Sequence, residues 1–377
     1  MRTLQAMGYT FGIEEEYFLC DAQTRLLAGE VSPQLLVAAR ERMGDAATTE
    51  LLQSQIEIAS PVFSDAAQAL AVLRRFRREL SEVAKPHGLR LVGASTHPLG
   101  DWGAQHVTGR PRYERVLADF RILGQRNLIC GMHVHVAVPE GCDRVQLMNR
   151  VLPFLPLFLS LSASSPFWHR RYTGLASYRQ SLYDEWPRSG VPDFFDDEAD
   201  YFAFADLLRD TGAAPDASYL WWAIRPSLSY PTLELRIADL CTRVQEGVAI
   251  ACLYRCLVAA LVDRPTLSPP RTSHTRRVID ENRWRAKRDG IGAEFIDEAS
   301  RSLVPARAQL ARLREQLAPE IERFDCASQF DELDAILERG TSANAQLRVY
   351  NDARATGVGR REALCRVVDW LVETTVA

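Results

Sequence analysis

The sequence contains no pair of cysteines at CxxC spacing, and it has only seven histidines. Its eight cysteines are scattered, which argues against a thiolate zinc site and fits a reducing compartment. Residues Met1–Thr10 lack an apolar signal core. The most apolar stretch, Val151–Ala163, is interrupted by two prolines and is shorter than a membrane span. These absences predict a cytoplasmic protein with no membrane partner.

The sequence also lacks a block of like charge, and its formal net charge is only −4. This balance argues against nucleic acid or an anionic membrane as the main partner. No GxxxxGK[ST], GxGxxG, GxSxG or HExxH motif is present. Any nucleotide would therefore be held mainly through metal ions and arginines. No convincing linker divides the 377 residues, so we expect one domain over residues 1–377.

Four segments alternate apolar and ionisable residues with a period of two. Such alternation is typical of strands that bury one face and present polar groups on the other. We predict a mainly antiparallel sheet with helices packed on one face and a cleft on the other, an α+β fold. The four predicted strands are Thr10–Cys20, Gln55–Ala59, Gly131–Val138 and Thr232–Ala238.

Apolar residues at helical intervals predict the remaining elements. The predicted helices are Ala66–Val83, Val145–Ser162, Glu246–Val262, Ser302–Leu317, Phe330–Leu337 and Arg361–Val372. Ser64-Asp65 is a plausible cap of the first of these helices. The predicted loops are Thr96–Arg112, Tyr172–Asp197 and Arg264–His274. The second loop is long enough to predict a functional role.

The polar faces of the four strands carry Glu14 and Glu16, Glu57, His133 and His135, and Glu234. Any one of these residues alone is most simply a solvated side chain. Carboxylates crowded on one face, however, repel each other by ~4 kcal/mol at ~4 Å in an effective dielectric near ~20. Bound cations would offset this repulsion, and mostly oxygen ligands suit Mg²⁺ or Mn²⁺. Glu15 falls on the apolar face, so we expect a structural role, with a partner at the sheet edge.

Three arginines are candidates for binding anions. Arg236 lies two residues after Glu234 on the same face, where its guanidinium could hold a phosphate or a carboxylate. Arg225 and Arg179 are further candidates. His135 could act as a second ligand, an orienting group or simple packing.

Several motifs together resemble the type 2 glutamate–cysteine ligase family, also called carboxylate–amine ligases. The resemblance covers nearly the whole chain, and it depends on the order and spacing of the motifs, since each is weak alone. The motifs are Gly12-Ile13-Glu14-Glu15-Glu16, Gln55-Ile56-Glu57-Ile58-Ala59, Thr96-His97-Pro98, Gly131-Met132-His133-Val134-His135, Ile224-Arg225-Pro226-Ser227 and Leu233-Glu234-Leu235-Arg236, with Asn282-Arg283 and the segment from Gly340 onward as closing elements.

The resemblance implies a glutamine-synthetase-like fold whose curved antiparallel sheet carries metals and ATP on its concave side. It implies metal ligation by Glu14, Glu16, Glu50, Glu57, His133 and Glu234, with Glu50 at a position where related ligases usually have Asp. We assign catalytic roles to Arg236, Arg225 and His135, and cofactor contacts to Arg236, Arg179 and Arg283. A homodimer is also implied.

Besides Glu50, the chain departs from the family pattern at three positions. Arg170 and Tyr172 stand where many relatives have Gly and Asp, and Gln53 stands where some have Glu. We expect the first two changes to lie near the substrate end of the site, which limits any transfer of a named substrate.

These features predict an ATP-dependent ligase for small molecules. A carboxylate would attack the γ-phosphorus of ATP, and an amine would then displace phosphate from the acyl phosphate. The residues leave three alternatives open: a metal-dependent hydrolase using His133 and His135, a guanidino phosphotransferase, or a catalytically silent protein that binds metal and ATP.

Overall fold

The computed structural model describes residues 6–377. Its helices are α1 (Pro33–Met43), α2 (Ala66–Ala84), α3 (Pro111–Phe120), α4 (Ile122–Gln125), α5 (Arg144–Val151), α6 (Leu155–Ser162), α7 (Arg179–Tyr183), α8 (Glu198–Asp210), α9 (Val244–Asp263), α10 (Thr275–Asp289), α11 (Ala306–Gln316), α12 (Ala318–Arg323), α13 (Ala327–Arg339), α14 (Ser342–Ala355) and α15 (Arg360–Thr375).

Its strands are β1 (Phe11–Asp21), β2 (Ala47–Thr49), β3 (Gln55–Ala59), β4 (Leu89–Val92), β5 (Met132–Ala137), β6 (Phe167–Trp168), β7 (Arg171–Tyr172), β8 (Ser189–Gly190), β9 (Trp221–Trp222), β10 (Ile224–Pro226), β11 (Thr232–Leu235), β12 (Glu294–Asp297) and β13 (Ser302–Pro305).

Seven strands form the main sheet, in the order β10-β11-β5-β1-β3-β2, with β4 also paired to β1. Every pairing in this sheet is antiparallel, as the sequence predicted. All four predicted strands are present, although β11 ends at Leu235 rather than Ala238. Alternation along β1 buries Phe11, Ile13 and Tyr17 and leaves Glu14 and Glu16 on the other face.

Helices α2 and α9 cover the apolar face of the sheet. Asp65 caps α2 as predicted, because its side chain accepts the backbone N–H of Gln68 at 2.6 Å. Glu15 points into this layer and forms an ion pair with Arg77 of α2, where both side chains are only 1% exposed. The structural role expected for Glu15 is therefore present, but its partner lies in the core, since β1 is flanked on both sides by other strands.

The opposite face is open only in part. Phe18 shares its side of β1 with Glu14 and Glu16, yet it is fully buried in a second hydrophobic cluster. This cluster includes Leu364 and Leu371 of α15, which packs near β4. The cleft is therefore confined to the part of the face that lies beyond this cluster.

Most predicted helices are present, with two corrections. The predicted helix Val145–Ser162 is divided into α5 and α6 by a short 3₁₀ turn, Leu152–Phe154, that contains Pro153. Residues 302–305 of the predicted helix Ser302–Leu317 form β13 instead, and α11 begins immediately after Pro305. The backbone N–H and C=O groups of these residues form hydrogen bonds with β12, in place of the helical hydrogen bonds that local periodicity predicted.

Two helical stretches, Arg144–Ser162 and Val244–Asp263, could cross a membrane by length and composition alone. In the most apolar 18-residue window of each stretch, 83% and 94% of the window is buried within the protein. Both stretches therefore lie in the core of this fold, and buried core helices pass the same test of length and composition.

Candidate active site

A cavity of about 410 Å³ lies against the polar face of the sheet. Strands β1, β3, β5 and β11 supply most of its ionisable side chains, as alternation predicted. Five carboxylates, two imidazoles and four guanidinium groups line it: Glu14, Glu16, Glu50, Glu57, Glu234, His133, His135, Arg112, Arg179, Arg225 and Arg236.

The first ligand group consists of Glu14, His135 and Glu234, whose potential ligand atoms lie within 4.8 Å of one another. Glu234 faces His135 directly across the β11–β5 pair. Thr232 Oγ1 lies 2.9 Å from His135 Nδ1, while Nε2 has no hydrogen-bond partner and lies 3.3 Å from Glu14 Oε1. In a metal-ligating histidine, a hydrogen bond typically holds one ring nitrogen while the other ring nitrogen binds the metal. His135 has this arrangement, with Nδ1 held and Nε2 available.

The second ligand group consists of Glu16, Glu50 and Glu57, again with potential ligand atoms within 4.8 Å of one another. Glu16 faces Glu57 across the β1–β3 pair, and Glu50 lies between β2 and β3. Burial raises the pKa of all three carboxyls, and the negative charges of Glu50, Glu14 and Glu16 raise that of Glu57 further. A cation would reverse this effect and stabilise the ionised forms.

His133 lies between the two groups and belongs to neither of the three-residue sets. Its Nδ1 is 3.1 Å from Glu14 Oε2, and its Nε2 is 3.8 Å from Glu16 Oε1. Burial and then the charge of Arg236 lower the pKa of His133, which favours the neutral imidazole. Burial would raise the pKa of Glu14, but the adjacent imidazoles of His133 and His135 outweigh burial and hold that pKa below its usual range.

Arg225 and Arg236 flank Glu234. Arg225 Nε donates to Glu234 Oε2 at 2.7 Å, and Arg236 Nη1 pairs with the other carboxylate oxygen. Although burial opposes ionisation, these two arginines hold the pKa of Glu234 below its usual range. Arg236 Nη2 is also 3.3 Å from the Tyr183 hydroxyl. Glu234 is therefore an ionised group that a cation and two guanidinium groups would share.

Arg179 is only 2% exposed, yet it reaches the cavity. Its Nη1 donates to the carbonyl oxygen of Ala238 at 3.1 Å, and its backbone N–H donates to Ser165 Oγ at 3.1 Å. The guanidinium packs directly against Gly131, where an added Cβ would meet Arg179 Cζ at 2.9 Å. Gly131 thus provides the space that lets Arg179 reach the cavity.

The buried carboxylate of Asp239 supports this arrangement from behind. It accepts hydrogen bonds from Ser165 Oγ at 2.7 Å and from Ser177 Oγ at 2.9 Å. Both serines lie on the chain that leads into α7, so Asp239 fixes the segment from which Arg179 projects.

Three residues singled out in the sequence lie away from the cavity lining. Arg283, expected as a cofactor contact, is paired with Asp184 at 2.6 Å. Arg170 lines a different cavity, and the Tyr172 side chain is exposed, so neither lies at the substrate end of this cleft. The long predicted loop Tyr172–Asp197 contains α7, whose first residue is Arg179.

Sequence reasoning missed an aromatic wall formed by Tyr113, Trp186 and Trp221. The ring centroids of Trp186 and Trp221 are 5.2 Å apart, and Phe120 packs against Trp186 at 4.9 Å. These rings come from α3, from β9 and from the segment after α7, so no single sequence window contains the pattern. The adjacent Trp221-Trp222 pair is the one feature of the sequence that could have indicated this wall.

Comparison with known proteins gives consistent matches over nearly the whole chain. The family model for "Glutamate-cysteine ligase family 2" matches residues 10–368. A protein of Ectopseudomonas mendocina, provisionally named glutamate–cysteine ligase 2, is 43% identical over 370 residues, covering 97% of both chains. One of Bradyrhizobium sp. with the same provisional name is 41% identical over 369 residues, covering 98% of this chain and 88% of the relative.

Solved structures show the same fold at low sequence identity. A glutamate–cysteine ligase of Francisella tularensis in complex with AMP has a TM-score of 0.72 at 11% identity, covering 98% of this chain and 89% of that one. The ligase PafA, solved with the ubiquitin-like protein Pup, has a TM-score of 0.53 at 12% identity, covering 93% of this chain and 70% of that one. The predicted α+β, glutamine-synthetase-like fold is confirmed.

Proposed function

This chain belongs to glutamate–cysteine ligase family 2 and is an ATP-dependent carboxylate–amine ligase, and from this premise we propose that it activates a glutamate-like carboxylate as an acyl phosphate and couples it to an amine such as that of cysteine. The observation that carries the proposal is the pair of ligand groups, Glu14–His135–Glu234 and Glu16–Glu50–Glu57, within one cleft.

The donor set fits hard divalent cations. Five carboxylates and an imidazole whose buried Nε2 has no hydrogen-bond partner offer mostly oxygen ligands, which suits Mg²⁺ or Mn²⁺. When bound, such ions neutralise phosphate charge during transfer. We propose that both ligand groups hold an ion, with His133 orienting Glu14 between them.

In the first step, a substrate carboxylate oxygen attacks the γ-phosphorus of ATP, the bond to the bridging oxygen breaks, and ADP leaves. Arg236 and Arg179 are the chain's own phosphate-binding groups, because both reach the cleft and each has an Nε without a hydrogen-bond partner. Arg225 is fixed by Glu234 and by the carbonyl oxygens of Ser218 and Leu220, so its role is to orient Glu234.

In the second step, the amine nitrogen attacks the acyl carbon, inorganic phosphate leaves with the bonding pair, and the amine loses a proton. The catalytic role expected for His135 would here be that of the base. Its Nδ1 is next to Thr232 Oγ1, however, and its Nε2 lies 3.3 Å from Glu14 Oε1 in the first ligand group, so we assign it as a ligand instead.

The partners of this reaction are small molecules. The cytoplasmic location, the homodimer and the extent of the domain over residues 1–377 stay predictions. The hydrolase, phosphotransferase and silent-protein alternatives find no support in the family match, and product analysis separates them: a hydrolase needs no ATP, and a phosphotransferase yields a phosphorylated product in place of an amide.

The proposal is tested by phosphate release from ATP and Mg²⁺ over paired acids and amines, followed by mass analysis of the product. Glu57→Gln removes a charged ligand with little change in shape, and we expect phosphate release to fall by about 10²-fold or more. Glu30→Gln, on an exposed residue outside the cleft, is the matched control and should keep wild-type turnover. Wild-type turnover in Glu57→Gln would refute the two-group site.

A further inference from the structure

We propose that Tyr183 is a third residue of the phosphate-binding site, and that its hydroxyl group donates a hydrogen bond to the γ-phosphoryl group of ATP. Tyr183 is the last residue of the short helix α7 and lines the catalytic cleft. This role deepens the proposed reaction and rests on it, because it adds a residue to the same site.

The side chain of Tyr183 contacts both arginines that we assign to phosphate binding. Arg236 Nη2 donates to the Tyr183 hydroxyl oxygen at 3.3 Å. Arg179 Cζ lies over the Tyr183 ring, 5.4 Å from its centroid, which is a cation–π distance. Arg179 and Tyr183 are four residues apart in α7 and therefore lie on the same face of that helix. One aromatic side chain thus separates the two guanidinium groups and holds both.

The direction of this hydrogen bond leaves the hydroxyl proton available. A guanidinium group can only donate, so the Tyr183 oxygen is the acceptor in its contact with Arg236. Within residues 6–377, no protein atom accepts a hydrogen bond from the Tyr183 hydroxyl. The O–H group can therefore donate to an acceptor inside the cleft. Positive groups lie on two sides of Tyr183, so an anionic oxygen is the favoured acceptor.

The position of Arg236 indicates which anion this is. Arg236 also pairs with Glu234, so the Tyr183 hydroxyl lies beside the first ligand group. During the first step, the phosphoryl group that moves must lie where arginines and metal ligands converge, because the charge on its oxygens has to be neutralised. The hydroxyl lies at this convergence, and the γ-phosphoryl group is therefore its expected partner.

Two cations of α10 fix the end of α7 beside Tyr183. Asp184 follows Tyr183 directly, and its carboxylate pairs with Arg283 and with Lys287, each at 2.6 Å. The side chains of Arg283 and Lys287 are only 11% and 9% exposed, so solvent screens these pairs little. Tyr183 is thus held in place before a ligand arrives. Arg283 supports the cleft through Asp184, although it does not line the cleft.

The test is calorimetric titration of the full chain, in the presence of Mg²⁺, with ADP and with the β,γ-imido analogue of ATP, which carries the third phosphoryl group and resists cleavage. Tyr183→Phe removes only the hydroxyl. We expect its affinity for the ATP analogue to fall by about 10-fold and its affinity for ADP to stay within about 2-fold of wild type. The matched control, Tyr172→Phe, changes an exposed tyrosine outside the cleft and should bind both nucleotides as the wild type does.

The Arg236→Gln background separates a direct contact from an effect that passes through Arg236. A residue that only oriented Arg236 would no longer matter in this background. We expect Tyr183→Phe/Arg236→Gln to bind the ATP analogue about 3-fold or more weakly than Arg236→Gln. Equal affinities in these two variants would show that Tyr183 acts only by positioning Arg236, and would overturn the proposal.

Turnover gives an independent readout. With a substrate pair that the wild type joins, kcat of Tyr183→Phe should fall by about 10-fold or more without a rise in KM for the amine, because the hydroxyl acts in the first step. Three binding results would each overturn the assignment: unchanged affinities in Tyr183→Phe, equal losses for ADP and the ATP analogue, or no binding of the analogue to the wild type. Absence of an amide product would refute the proposed reaction alone, since the titrations need no turnover.

Discussion

Two histidines of the same strand, on the same face, have different environments in this site. His133 lies between two carboxylates, while His135 has Nδ1 next to the Thr232 hydroxyl and Nε2 facing Glu14. The HxH pattern predicted that both side chains enter the cleft. Which nitrogen is available, however, depends on the neighbouring strand, which the pattern does not contain.

Thr232→Val tests this dependence at the level of one hydroxyl group. Without the Oγ1 contact, the imidazole of His135 loses its fixed orientation, so we expect affinity for Mn²⁺ to fall by about 10- to 100-fold. Mn²⁺ titration followed by electron paramagnetic resonance measures this change. Thr211→Val, at an exposed position after α8, should leave the affinity unchanged. Equal affinities in the two variants would contradict the assignment of His135 as a ligand.

Among the structural elements, the start of β5 determines how Arg179 reaches the cleft. The N–H of Gly131 donates to Glu16 Oε2 at 2.6 Å, and the missing side chain of Gly131 leaves room for the Arg179 guanidinium. One residue thus holds a carboxylate of the second ligand group and makes space for a phosphate-binding arginine.

Gly131→Ala should displace Arg179, because a Cβ at this position overlaps the guanidinium. We expect kcat/KM for ATP to fall by about 10- to 100-fold, since a displacement of about 1 Å at an active site has effects of this size. Steady-state kinetics measure the loss. Gly29→Ala, where nothing lies within 4 Å of the added Cβ, serves as the control. Unchanged kinetics in Gly131→Ala would show that Arg179 has no part in binding ATP.

The sequence was most informative where alternation extends over a whole strand. It predicted β1, β3, β5 and β11 and the ionisable side chains that they turn into the cleft. It was wrong at Ser302, where a hairpin replaces the first turn of a predicted helix. Of the helices with ten or more residues, it missed α1, α3, α8, α10 and α14. The aromatic wall could not be predicted, because Trp186 and Trp221 meet only after distant segments have packed.

Across the whole molecule, the charges of the cleft are unevenly distributed. Glu234 is paired with two arginines, but none of the carboxylates of Glu16, Glu50 and Glu57 lies within ion-pair distance of an arginine or lysine in the described part of the chain. Their mutual repulsion opposes folding in the absence of a cation, so metal binding and global stability should be linked.

Adding Mg²⁺ or Mn²⁺ to EDTA-treated protein should therefore raise the melting temperature. At an ion concentration ~100 times Kd, each occupied site adds about 2.7 kcal/mol, which for a chain of this size corresponds to about 3 °C per bound ion. Differential scanning calorimetry measures the shift. Glu57→Gln should show a smaller shift, because one repelling charge and one ligand are removed. A melting temperature that neither Mg²⁺ nor Mn²⁺ changes would contradict the linkage between metal binding and global stability.

The three consecutive glutamates of β1 serve opposite sides of the sheet. Glu14 and Glu16 face the cleft, while Glu15 is anchored to Arg77 in the core. Deleting or inserting a single amino acid just upstream would exchange the two faces of the strand. Glu14 and Glu16 would then point into the hydrophobic core, and Glu15 would point into the cleft. Evolution can thus exchange side chains along this stretch far more readily than it can alter the number of residues, and protein engineers who graft this site should copy the stretch without gaps.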